Sequence, residues 1–281
     1  MKVFVIGAGT MGSGIAQCFA AVGDDVKLCD ISIEFAEKGI ANVKAGLDKL
    51  VAKGKKTAEE VDALVKNLTP TASYQDAADC DLVIEAAVEN IEIKKKVFAE
   101  LDKVCKPETI LSTNTSALSI TEIASATKRP DKVIGMHYAN PAPVMKLIEI
   151  IRGIETSDAT YTFIEDASKH INKISVEIKE CAGFVLNRIL MTLVNEAIFT
   201  YADGIASAEG IDTTLKLGAN MSMGPLELAD LIGLDVVLAI MDTMVRETSD
   251  PKYRPHELLR KMVRARHLGR KTGRGFYDYS K

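Results

Sequence analysis

The sequence predicts an α/β fold, a mostly parallel sheet covered by helices on both faces, followed by an all-α C-terminal domain. Three observations lead there. In the first half, short and wholly apolar runs such as Val3–Ile6, Leu82–Ile84 and Val133–Met136 alternate with stretches of helical spacing, as strands buried on both faces require. After Glu180 that alternation stops and almost every segment has helical period. Turn signals at Gly204, Gly224-Pro225 and Asp250-Pro251 then divide the helical part.

Taken in order, strands are expected at Val3–Ile6, Val26–Leu28, Leu82–Ile84, Thr109–Leu111 and Val133–Met136, with Leu147–Ile151 and Ile174–Ile178 extending the sheet. Helices are expected at Ile15–Val22, from a Ser32 cap to about Lys53, near 92–103 and 119–126, and at about 158–171. The second half reads as helices at roughly 183–202, 207–218, 225–245 and 255–267. The boundary falls near residue 182, giving domains of 1–182 and 183–281.

The 281 residues are 47% apolar and 26% charged, with a formal net charge of −4. That balance is ordinary for a globular chain and argues against a nucleic-acid or membrane-surface partner. Five scattered cysteines, at 18, 29, 80, 105 and 181, fit buried reduced thiols better than disulfides or a metal site, and no metal is expected. No stretch approaches the roughly 18 apolar residues of a membrane span, and Val3–Ile6 runs into a glycine loop without signal-peptide form. A cytoplasmic enzyme is the expectation.

The first motif is Gly7-Ala8-Gly9-Thr10-Met11-Gly12. A lone G-x-G-x-x-G is weak, but this one follows a strand, opens a helix and precedes a second strand ending in Asp30. That is a Rossmann-type dinucleotide cradle: Gly7 for the turn, Gly9 for backbone approach to the pyrophosphate, Gly12 for helix–strand packing. The helix N-terminus faces the phosphates. Asp30 suits the ribose hydroxyls, and no Lys or Arg follows at 31–33 to welcome a 2′-phosphate, so NAD is favoured over NADP.

In an open parallel sheet, ligands bind beyond the carboxyl ends of the strands. Three successive strand ends deliver polar residues there: Glu85 and Glu89; Asn114, Thr115 and Ser116; His137 and Asn140. The other histidines, 170, 256 and 267, lie on expected helices or helix ends. His137 suits proton exchange during alcohol oxidation, and Glu149, an acid inside the apolar run 146–151, is its candidate partner. Pattern alone equally allows Glu149 to face solvent on an edge strand. The lysines at 53, 55 and 56 read either as a solvated helix end or as a grip on substrate phosphates.

On these residues the chain resembles the short-chain L-3-hydroxyacyl-CoA dehydrogenases over essentially its whole length. The likeness is specific at Gly7–Gly12, Glu85–Glu89, Ser112–Ser116, Gly135–Tyr138, Gly183–Arg188 and Gly269–Tyr277. The resemblance implies reversible NAD-linked oxidation of a short (S)-3-hydroxyacyl-CoA. It makes His137 the general acid/base and Glu149 its partner, with Ser116 and Asn187 contacting substrate. It also implies that Glu89, Lys94, Asn114, Ser116, Asn140 and Lys271 join Gly7, Ala8, Gly9, Thr10, Met11, Gly12 and Asp30 around NAD. Lys53 would meet the coenzyme A of an acyl-CoA substrate, and the helical domain would close over the site and form a homodimer.

The chain departs from the family pattern at Ala139, Ala182 and Met221-Ser222, and Gly46 replaces a serine that contacts coenzyme A. These departures bear on chain length and domain closure, not on the reaction. Two other readings are a free β-hydroxyacid dehydrogenase and a catalytically silent NAD-binding protein. The first relies on a lysine in the helix after the boundary, and residues 183–201 contain none.

Overall fold

The computed structural model describes residues 1–280, which form two compact units, Met1–Glu180 and Cys181–Lys281. In chain order the first unit comprises β1 (Lys2–Ile6), α1 (Thr10–Ala20), β2 (Asp25–Cys29), α2 (Ile33–Ala52), α3 (Ala58–Lys66) and β3 (Leu68–Thr71). It continues with β4 (Leu82–Glu85), α4 (Ile91–Val104), β5 (Ile110–Thr113), α5 (Ile120–Ala124), β6 (Val133–Tyr138), β7 (Leu147–Arg152), α6 (Asp158–His170) and β8 (Ile174–Lys179).

The eight strands form one sheet in the order β3-β2-β1-β4-β5-β6-β7-β8. From β3 to β6 all neighbours are parallel. β7 runs antiparallel to β6, and β8 parallel to β7. The central strands are Val-, Leu- and Ile-rich because both faces are covered: Val3, Val5, Leu82 and Ile84 are fully buried. Strand order reverses between β1 and β4, which opens a crevice at their carboxyl ends.

The α3–β3 segment goes beyond the elements expected from the sequence. α3 is nine residues long and buries only Val61 and Leu64, too few to print a period. Its start is set locally instead, by a capping box in which Thr57 Oγ1 accepts from Glu60 N and Glu60 Oε2 accepts from Thr57 N. β3 contains Pro70 and is the sheet's edge strand, where a missing N–H is tolerated.

The second unit contains α7 (Leu186–Ala202), α8 (Ala208–Gly218), α9 (Pro225–Ile232), α10 (Leu234–Thr248) and α11 (Glu257–Arg264) around Met191, Val194, Ile198, Val237, Met241 and Leu259. The single helix expected over 225–245 is two. Gly233 adopts φ 101, outside the helical region, and splits the run. The helix expected over 255–267 stops at Arg264, which leaves His267 beyond it. The helix expected from Gly183 starts at Leu186.

The C-terminal tail folds back onto its own unit. The Asp230 carboxylate accepts from the N–H groups of Phe276 and Tyr277. Asp212 accepts from Leu226 N, Glu227 N and the Tyr277 hydroxyl, so one acid caps α9 and holds the tail.

Candidate active site

The glycine loop is shaped by contacts no other residue could make. Gly7 has φ +94, and a Cβ there would meet Ala86 O at 2.6 Å. A Cβ on Gly12 would lie 1.7 Å from Gly7 O. A Cβ on Gly9 would meet nothing within 4 Å, because that face of the loop is open. Gly9 is also the N-cap of α1 and provides no side-chain cap, which leaves the first turn to an external acceptor. Thr10 and Met11 form that turn.

Asp30 stands at the end of β2 and is bound to the loop itself: its carboxylate accepts from Ala8 N at 2.6 Å and from Ile31 N at 2.7 Å. These bonds orient the carboxylate beside a cavity of about 650 Å³ that Ala8, Gly9, Thr10 and Asp30 help to line. Lys38 lines the same cavity. It lies beyond residues 31–33, which carry no cation, and only the winding of α2 brings it there. Glycine loop, uncapped helix end and oriented acid fit a dinucleotide.

Farther along the rim, His137 and Glu149 are register partners on the antiparallel strands β6 and β7. Directly opposed residues project from the same face, and His137 Nδ1 lies 2.7 Å from Glu149 Oε2. His137 is 6% exposed and Glu149 2%. The solvent-facing alternative for Glu149 is therefore overturned, because β8 covers β7 and removes it from the edge. An isolated carboxylate so buried would be costly, and the imidazole offsets that cost.

Between these two sites lies a buried polar cluster. Glu85, wholly buried, receives Lys94 Nζ at 2.7 and 2.9 Å, Thr113 Oγ1 at 2.7 Å and Ala87 N at 2.7 Å. Lys94 Nζ also lies 3.4 Å from Glu89 Oε2. Glu89 Oε1 accepts from Thr115 Oγ1 at 2.5 Å and from Ser116 N at 2.8 Å. Lys94, expected to line the cofactor pocket, is 1% exposed and engaged with these two carboxylates. The sequence did carry a signal for this: α4 buries Lys94, Val97, Phe98 and Leu101, so a lysine occupies the core stripe and requires a buried acid.

Asn114, also expected at the cofactor, ties strand ends together. Its N–H donates to Glu85 O at 2.7 Å, and its side-chain oxygen accepts from Tyr138 N at 2.9 Å, next to His137. Asn140 is exposed just past β6. Lys53 is the exposed C-cap residue of α2. In the second unit, Asn187 is buried in the first turn of α7, and Lys271 Nζ lies 2.7 Å from Asp235 Oδ2.

Four cysteines are buried, and burial holds their thiols high: Cys18, Cys80 and Cys105 are pushed to about 11 and Cys29 to about 12. Cys181, expected to be buried like the others, is half-buried.

Comparison with known proteins places this geometry in context. Residues 2–181 match the family model for the 3-hydroxyacyl-CoA dehydrogenase NAD binding domain, and residues 183–279 match that for the 3-hydroxyacyl-CoA dehydrogenase C-terminal domain. A 3-hydroxybutyryl-CoA dehydrogenase from Clostridioides difficile is 56% identical over 281 residues, covering all of both chains. The human mitochondrial hydroxyacyl-coenzyme A dehydrogenase is 44% identical across 99% of this chain and 90% of its own. Among solved structures, the (S)-3-hydroxybutyryl-CoA dehydrogenase of Ralstonia eutropha superposes with a TM-score of 0.95 at 48% identity, covering 100% of this chain and 99% of that one.

Proposed function

The chain belongs to the 3-hydroxyacyl-CoA dehydrogenase family, and from that premise we propose that it interconverts a short (S)-3-hydroxyacyl-CoA, such as 3-hydroxybutyryl-CoA, with its 3-oxoacyl-CoA, using NAD. The single observation that carries the reaction chemistry is the 2.7 Å contact between His137 Nδ1 and Glu149 Oε2 at the rim of the cofactor-binding sheet.

NAD bound in the cradle would supply the hydride acceptor or donor for substrate C3. The chain's part is to bind, orient and move one proton. His137 exchanges the C3 hydroxyl proton through Nε2, while Glu149 fixes the ring through Nδ1 and stabilises the imidazolium that forms. Ser116 and Asn187 hold the hydroxyl and thioester region of the substrate. Gly7, Ala8, Gly9, Thr10, Met11 and Gly12 form the pyrophosphate cradle, Asp30 holds the ribose, and Glu89, Asn140 and Lys271 complete the cofactor site. Lys53 meets coenzyme A. Lys94 and Asn114 serve this site by holding its walls, which their contacts with Glu85, Glu89 and Tyr138 support.

The helical second unit has a role in substrate closure and in forming a homodimer. Apolar side chains on its surface, Ile189 at 66% and Leu217 at 82% exposed, support a partner. The buried thiols suit a reducing, cytoplasmic setting.

The test is direct. Purified protein given acetoacetyl-CoA should oxidise NADH at a rate far above NADPH, and should run in reverse with (S)-3-hydroxybutyryl-CoA and NAD. Failure to turn over either substrate would leave an NAD-binding protein without this activity.

A further inference from the structure

We propose that Thr115 is a positioning residue: its hydroxyl clasps Glu89, and the clasp holds the Ser116 loop in the conformation that receives substrate. The inference rests on the reading of Ser116 as a substrate contact given above.

Two loops meet at Glu89. It stands in the segment after β4, on the cofactor side, whereas Thr115 and Ser116 stand after β5. Glu89 Oε1 takes both the Thr115 hydroxyl and the Ser116 N–H, at 2.5 and 2.8 Å. Thr115 is 1% exposed, so its hydroxyl has no bulk water with which to replace Glu89. The same Oγ1 accepts from Leu118 N at 3.0 Å, and Thr115 N donates to Thr113 Oγ1 at 3.2 Å. One hydroxyl therefore donates across to Glu89 and accepts from its own loop, fixing the backbone on either side of Ser116.

The opposite face of Glu89 is fixed as well. Lys94 Nζ lies 3.4 Å from Oε2 and is held by Glu85. Glu89 itself is exposed as a residue, its side chain 43% accessible. Without these two anchors a surface glutamate would sample many rotamers. The clasp also joins the segment after β4 directly to the loop after β5, through two hydrogen bonds to one carboxylate oxygen.

The experiment compares Thr115→Val, which keeps shape and loses the hydroxyl, with Thr115→Ser, which restores it. Loss of a hydrogen bond to a charged group predicts a rise of about tenfold in the KM for acetoacetyl-CoA, larger than the change in NADH Kd, and a lowered thermal midpoint, because the half-buried Leu118 N–H loses its acceptor. Thr115→Ser should return KM to near the wild-type value. In the double variant with Glu89→Ala, Thr115→Val should add no further rise, because the hydroxyl acts through that carboxylate. An unchanged KM in Thr115→Val, no rescue by serine, or additive effects in the double variant overturns the proposal. If Thr115→Val does not fold, Thr115→Ala read through the same cycle decides it. A wild-type protein inactive on acetoacetyl-CoA would refute the functional reading instead, so the two failures are distinct.

Discussion

His137 and Glu149 face each other across one rung of the β6–β7 ladder, and their side chains meet at 2.7 Å. The antiparallel turn of β7 creates this relationship, because it returns the chain to the rim where β6 ends. An acid 12 residues away in sequence thereby becomes the immediate neighbour of the imidazole.

Replacing His137 by Gln removes the proton carrier and should lower kcat by between about a hundredfold and ten-thousandfold. Calorimetric NADH affinity should stay within a factor of two or so, since the cradle lies on other strands. Cofactor binding lost in parallel with turnover would make His137 a structural residue.

Glu149→Gln keeps the shape of the pair and removes its charge. A charge-assisted hydrogen bond of this kind predicts a loss of about 10- to 100-fold in kcat. Steady-state kinetics showing wild-type turnover would remove Glu149 from the mechanism.

The two glycines of the cradle should fail in different ways. Gly12→Ala drives a Cβ into Gly7 O, which should cost ~1–3 kcal/mol of stability and lower the thermal midpoint. Gly9→Ala meets no protein atom, so the fold should keep its midpoint while NADH binding weakens sharply. Equal melting behaviour in the two variants would contradict this division.

Asp30→Ala removes the acid that repels a 2′-phosphate and leaves Lys38 lining the same cavity. The ratio of kcat/KM for NADH over NADPH should fall by about tenfold or more, from loss of one charged contact and one repulsion. A ratio that does not move would assign cofactor choice elsewhere.

The Asp230 clamp on the tail predicts a dependence on pH. Burial raises this carboxyl above its ordinary value of 3.8, against the hydrogen bonds of Tyr277 and Phe276. The folded protein thus holds that proton more tightly than the unfolded chain. Ionisation then costs stability: the cost is absent below the ordinary value and grows as pH rises through the raised one. The stability of the wild type relative to Asp230→Asn, measured by denaturant titration, should decline over that window. A gap that is flat or widens with pH would exclude Asp230 as its source.

Periodicity and the glycine loop were enough to locate the cradle, the alternating half and the helical half, because strands buried on both faces and a phosphate-binding turn leave local marks in sequence. His137 was legible in the same way, as the polar residue that ends an apolar strand. Other features are not local. Whether Glu149 faced solvent or the imidazole depended on β8 covering β7, which no pattern within 146–151 encodes. Lys94 is tied to the cofactor pocket only by the family resemblance, and that it is the buried Glu85 its ammonium meets follows from the packing of α4 and not from any local pattern. Thr115 and Glu89, 26 residues apart, meet only because adjacent parallel strands end at one rim. The sequence by itself determined which elements form and which chemical groups end them. Only the tertiary structure decided which of those groups are buried together, because the cost of burying a charge or hydroxyl is settled by partners that come from other strands.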